Sequence, residues 1–168
     1  APAVGGGRTP MGGLFLPSDF FGPPGRDSAA YDVVATTDLV MCCFRKKPFE
    51  NLMLQTPHIA QRLLEMTLDE LDAAREWMLL LGRKTAREKI ATFIYMLVRR
   101  QHVETLGETK SALALPLTRE EIANYLGLTL ETISRQLTVL KKDGVLTFSD
   151  RRRLEVVDMS ALLAATGD

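Results

Sequence analysis

Two histidines, two cysteines and a formal net charge of zero set the first limits on this 168-residue chain. His58 and His102 stand far apart, with no cysteine or carboxylate at metal-ligand spacing beside them, so both are expected at the surface. Cys42 and Cys43 are adjacent, and adjacent side chains on a strand point to opposite faces. Two thiolates fall short of the four that a four-iron cluster needs. The simplest reading is a pair of reduced thiols in a cytosolic core. G-x-S-x-G, the P-loop and H-E-x-x-H are all absent, which argues against an enzyme. No apolar run approaches the roughly 18–20 residues that span a bilayer. The opening APAVGGGRTPMGG has neither the basic start nor the apolar core of a signal peptide. A cytoplasmic protein without a membrane partner is expected.

Zero net charge hides an asymmetry. Residues 1–81 carry seven basic and ten acidic residues, a balance of −3; residues 82–168 carry fourteen and eleven, a balance of +3. The basic excess belongs to the half in which a nucleic-acid reader is legible.

That reader is Leu117–Asp143, LTREEIANYLGLTLETISRQLTVLKKD. Thr118 and Glu121 have capping-box spacing, each able to satisfy the other's free backbone N–H at a helix start. Ile122, Ala123 and Leu126 give this helix an apolar stripe. Gly127 can take the left-handed conformation that ends it, and Thr129 can cap the next helix. In that second helix Ile133, Leu137 and Leu140 follow i, i+4, i+7 spacing and should face the core. Glu131, Ser134, Arg135, Thr138 and Lys142 then share the opposite side. Arg can grip guanine O6 and N7 with two parallel hydrogen bonds, and a carboxylate can accept from the cytosine amine. An exposed Glu–Arg pair at i, i+4 alone is usually a solvated helix pair. Inside a capped helix–turn–helix it reads as a base-contacting face.

Asp143-Gly144 ends this helix. Val145–Phe148 and Leu154–Val157 then read as strands around a Ser149-Asp150 turn and the basic run Arg151–Arg153. Such a wing suits contacts to a phosphate backbone; the plainer alternative is positive charge that discourages strand pairing at an edge.

The runs LGLTLETISRQL (126–137), KKDGVLTFSDRRRLEV (141–156) and LLLGRKTAREKIATFIYMLVRR (79–100) resemble the CRP/FNR family of bacterial transcription regulators, in its FNR/FixK branch. The resemblance implies an α+β protein. A partial β-roll sensor domain would occupy residues 1–55, a long dimerisation helix 56–81, and a C-terminal winged helix–turn–helix domain 82–168. It further implies an activator that reads double-stranded DNA of the TTGAT…ATCAA type and meets RNA polymerase. Glu131, Ser134 and Arg135 would read bases, and Leu130 matches a position that meets a thymine methyl. Thr118, Thr129, Thr138, Lys141, Lys142, Arg151, Arg152 and Arg153 are the candidate phosphate contacts.

Leu14–Phe49 reads as short strands and turns, rich in β-branched residues and proline. The resemblance makes it the later part of a β-roll that begins inside the domain. From Pro57 to Leu81, Ala60, Leu64, Leu68, Leu71, Ala74, Met78 and Leu81 recur every three or four residues, as in a coiled-coil seam. Leu64, Leu68, Leu71, Ala74, Met78 and Leu81 are therefore the expected homodimer interface. Arg62, Glu65, Asp69, Asp72, Arg75 and Glu76 flank the seam and could set its register. Gly82 should interrupt the helix, with Gly82–Lys84 as a hinge. Thr85 and Glu88 cap a further helix that buries Ile90, Phe93, Ile94 and Leu97, and Glu104–Pro116 follows as a polar linker.

Against the cyclic-nucleotide binders of the family, Ala29 and Ala30 occupy the places of the phosphate-binding Arg-Ser pair. Pro23 stands where the glutamate would be, and Arg26 is out of place. A buried phosphate needs positive partners or oriented N–H groups, so cAMP is excluded. Cys42 lies where the iron–sulfur members carry their single interior ligand. No cofactor is expected in this chain, and a cluster would need thiolates from a preceding segment. A protein-interaction winged helix and a ligand-gated sensor are the alternative functions.

Overall fold

The computed structural model describes residues 13–16, 19–22, 27–28, 32–101, 111–150 and 152–167. Two compact units result, Phe15–Glu76 and the stretch from Trp77 onward together with Leu14.

In the first unit the expected strands are absent: no residue of 13–45 among those described lies in a strand. Val34, Val40 and Phe44 are exposed. β-Branched residues stabilise a strand only when a neighbouring edge accepts their backbone and side chains, and the described residues of this segment pair with none. The chain instead turns into helix α1, Lys46–Gln55, which the sequence reading placed within the β-roll remnant. Pro48 sits in its first turn, where no N–H is required, and Phe49, Leu52 and Met53 follow helical spacing. Phe20 and Phe44 flank Phe49 with ring centroids 5.8 and 5.5 Å away.

Helix α2, Pro57–Arg83, opens on a proline at its first helical position, the site where the fixed φ helps and the missing N–H costs nothing. It runs through Gly82 rather than breaking there, so the chain turns only at Lys84-Thr85. Glycine costs a helix interior about 1 kcal/mol, and less in a last turn that has few bonds left to lose. The boundary between units also falls inside α2, between Glu76 and Trp77, and not at residues 81–82. Trp77 decides this by stacking on Tyr125, centroids 3.8 Å apart, with Phe93 edge-on to the same ring at 5.6 Å.

The second unit holds α3 (Ala86–Gln101), β1 (Ser111–Ala114), α4 (Arg119–Leu126), α5 (Leu130–Lys142), β2 (Leu146–Phe148), β3 (Arg153–Val156) and α6 (Met159–Ala164). Glu88 caps α3 as anticipated, its carboxylate accepting the Thr85 N–H at 2.7 Å. Strand β1 corrects the reading of 104–116 as linker; residues 102–110 lie outside the described residues. The sheet is antiparallel in the order β1-β3-β2, with Leu113 and Phe148 both opposite Leu154. SALA is too short and plain to announce a strand; β3 supplies the edge that makes it one. Leu80, Ile90, Ile94, Leu113, Leu117, Leu126, Ile133, Leu140, Leu146, Leu154 and Leu162 form the fully buried core.

Gly127 ends α4 at φ 63°, ψ 34°, and its N–H closes the helix onto Ala123 and Asn124. A Cβ would meet nothing there, so backbone strain alone governs substitution. Gly127→Ala is expected to cost about 1–2 kcal/mol in urea unfolding, the penalty of a left-handed alanine. An unchanged midpoint would show that the turn relaxes.

Candidate nucleic-acid interface

The helix–turn–helix face is set by how α4 and α5 begin and end. Thr118 Oγ1 accepts the Glu121 N–H at 3.2 Å while Glu121 Oε2 accepts the Thr118 N–H at 2.7 Å, closing the capping box. Thr129 Oγ1 accepts the Thr132 N–H at 3.1 Å and lies 2.9 Å from the Thr132 hydroxyl. These caps orient α5 so that Ile133, Leu137 and Leu140 are buried against α3 and α4. Packing one side settles what the other side shows.

The other side carries Glu131 and Arg135, both exposed, with Ser134 half-buried between them and Leu130 49 % exposed at the helix start. Among the described residues neither Glu131 nor Arg135 has an ion-pair or hydrogen-bond partner. The solvated i, i+4 pair does not form, and both groups keep their full bonding capacity. The N-terminal end of α5 thus offers a free carboxylate and a free guanidinium one turn apart.

The candidate phosphate contacts divide by what their side chains already do. Lys141 and Lys142 are exposed in the last turn of α5, where cations also complement the helix dipole. The Thr118 and Thr129 hydroxyls accept the capping bonds. Thr138 gives its single O–H proton to the Ser134 carbonyl at 2.8 Å, so a phosphate would have to displace that bond. At the wing, Asp150 Oδ1 accepts the N–H groups of Arg152 and Arg153 at 2.7 and 2.8 Å, folding the tip. Arg153 Nε lies 3.8 Å from Asp150 Oδ2, whereas the Arg152 guanidinium has no partner among the described residues. Arg151 lies outside the described residues.

Two contributions escaped the sequence reading. Asp150, read there only as a turn residue, organises the wing by binding the backbone two and three residues on. Arg119 stands over the Phe148 ring at 5.8 Å and joins the start of α4 to β2; a lone arginine inside a helix cap gives no sign of that contact.

The expected dimer residues lie on one face of α2. Leu64, Leu68, Leu71 and Met78 are 45–65 % exposed, and Ala74 and Leu81 are exposed as well. Leu63, Met66 and Ala73, on the neighbouring face, are half-buried. Of the flanking charges, Arg62 pairs with Glu65 at 3.1 Å and Arg75 with Asp72 at 3.0 Å within the helix.

Residues 88–165 match the description of the Crp-like helix-turn-helix domain. FnrL of Cereibacter sphaeroides, named a transcriptional activator protein, is 62% identical over 164 residues, covering 96% of this chain and 66% of that protein. The chain belongs to the CRP/FNR family, in its FNR/FixK branch. The nitrogen fixation regulation protein FixK of Bradyrhizobium diazoefficiens is 37% identical over 142 residues, 83% of this chain and 58% of that one. The solved structure of FixK2 from Bradyrhizobium japonicum superposes with a TM-score of 0.62 at 39% identity, covering 71% of this chain and 58% of that one. This CRP/FNR chain spans 66% and 58% of the two curated relatives' lengths. The relatives are transcription regulators, not enzymes.

Two further expectations of the CRP/FNR resemblance concern ligands. Cys42 and Cys43 are free and exposed, which corrects the core placement expected for them, and the described residues contain no group of three or more His, Cys, Asp or Glu that could hold a metal ion. Two thiols alone do not supply the four thiolates of a four-iron cluster. Pro23, Arg26, Ala29 and Ala30, at the places of the nucleotide ligands, lie outside the described residues, as does His102. His58 is exposed near the start of α2. Among the described residues no helix is long and apolar enough to cross a membrane.

Proposed function

We propose that this chain is the dimerising and DNA-reading portion of a cytoplasmic transcription activator. Two copies associate through α2 and read a palindrome of the TTGAT…ATCAA type. Each copy seats the start of α5 in a major groove, with half-sites spaced by about one helical turn, roughly 34 Å. Glu131, Ser134 and Arg135 contact base edges, and Leu130 lies against a thymine methyl. Arg151, Arg152, Arg153, Lys141 and Lys142 neutralise phosphates, with Thr118, Thr129 and Thr138 at the backbone. The observation that carries this reading is the unpaired Glu131–Arg135 pair, exposed on a helix whose opposite face is core. Bound in this way, the dimer would present itself to RNA polymerase. The name of FixK, a nitrogen fixation regulation protein, supports a role in nitrogen-fixation control, and membership of the FNR/FixK branch supports an oxygen-related one.

Titration of the chain against matched and scrambled duplexes at two salt concentrations tests the proposal; equal affinity for both sequences would refute it. Arg152→Ala is expected to weaken binding to every sequence alike and to flatten the salt dependence by about one phosphate charge per subunit. A loss confined to the matched duplex would move Arg152 from the backbone to the bases.

A further inference from the structure

Among the described residues Thr166 is the one polar residue in the core, 1 % exposed. Its hydroxyl donates to the Leu163 carbonyl at 2.7 Å. Its own carbonyl accepts from Lys84 Nζ at 2.9 Å, a contact across 82 residues of sequence. The same ammonium donates to Thr92 Oγ1 on α3 at 3.1 Å. Lys84 stands in the short turn between α2 and α3, where the chain was expected to hinge freely.

The next residue adds a second fastening. Gly167 has φ 79°, and a Cβ on it would lie 2.7 Å from Glu88 Oε1 and 2.9 Å from Glu88 Cδ. Glu88 is the residue whose carboxylate holds the Thr85 N–H and so starts α3. Thr166-Gly167 therefore touches both the ammonium that follows α2 and the carboxylate that begins α3. A buried carbonyl meeting an ammonium makes a charge-assisted bond, stronger than a neutral one.

We propose that Thr166-Gly167 is a latch on the α2–α3 turn. Closed, it holds Lys84 and Glu88 to the end of α6, and the last turn of α2 is tied to α3. Open, Lys84–Glu88 regains the freedom of an ordinary two-helix connection. The α2–α3 turn, which lies within the second unit, is thus set by a contact distant in sequence, not by Gly82.

Hydrogen exchange on the whole chain tests this through reciprocity. Lys84→Met removes the donor from the turn, and Gly167→Ala pushes a methyl group into Glu88 from the tail. Each is expected to speed exchange at the Glu88 and Lys89 amides and at the Thr166 amide by about ten-fold. Lys84→Arg, which keeps a donor, should stay near the wild type. The amides of Ile133, Leu137 and Leu140 should not change. Effects confined to the mutated segment would overturn the latch, as would a rise spread equally over α5, which would signal general destabilisation. The exchange result is independent of the DNA reading: failure of the wild type to prefer the palindrome would defeat that reading and leave the latch standing.

Discussion

Arg135→Ala is expected to lose ~1–3 kcal/mol per half-site on a TTGAT…ATCAA duplex while binding a scrambled duplex almost as before. Arg135 is exposed and has no intramolecular partner among the described residues, so its removal takes nothing from the fold. What is lost is a forked donor that matches guanine O6 and N7, a geometry that lysine cannot reproduce. Arg135→Lys should therefore recover the charge but little of the sequence preference. Competitive titration with the two duplexes at one fixed salt concentration reads both quantities. A matched loss on the two duplexes would make Arg135 a phosphate contact and leave Glu131 as the only charged candidate for base readout.

Leu68→Glu should convert a dimer to a monomer and lower affinity for the palindrome by about 10²–10⁴-fold, because a monomer forfeits the second, effectively intramolecular half-site. Leu68 is about half exposed in the single chain, so a carboxylate there is tolerated by the protomer. In a seam it would be desolvated without a partner, which costs several kcal/mol. Leu71→Glu, three residues along the same stripe, serves as an independent repeat. Sedimentation equilibrium gives the association state and the same titration gives the affinity. If either variant remains a dimer of wild-type strength, the self-association surface lies elsewhere. Retained palindrome affinity in a monomeric variant would remove the need for two-fold symmetry altogether.

The reading domain was legible in the amino-acid order because its signals are local. The Thr118–Glu121 box, the left-handed Gly127, the Thr129 cap and the Ile133–Leu137–Leu140 stripe each act within one or two turns of chain. A helix cap satisfies N–H groups three residues away, and an amphipathic stripe needs only a core to face. The same locality made α2 and the Thr85–Glu88 cap readable, along with the two wing strands. Strand β1 was not readable, since four residues become a strand only when β3 brings its edge alongside. Nor were the strands expected in 14–49 realised among the described residues, for the opposite reason: β-branched composition without an edge to pair with leaves the backbone to water.

Sequence by itself determined how α2, α3, α4 and α5 begin, how α4 and α5 end, and which polar groups α5 turns away from its core. Tertiary structure decided that Trp77 belongs with Tyr125, that the division between units falls inside α2, that Arg119 rests on Phe148, and that Lys84 is tied to Thr166. Those contacts join residues tens of positions apart. Their closeness depends on how the packed helices and the sheet meet, and no local pattern of amino acids records it.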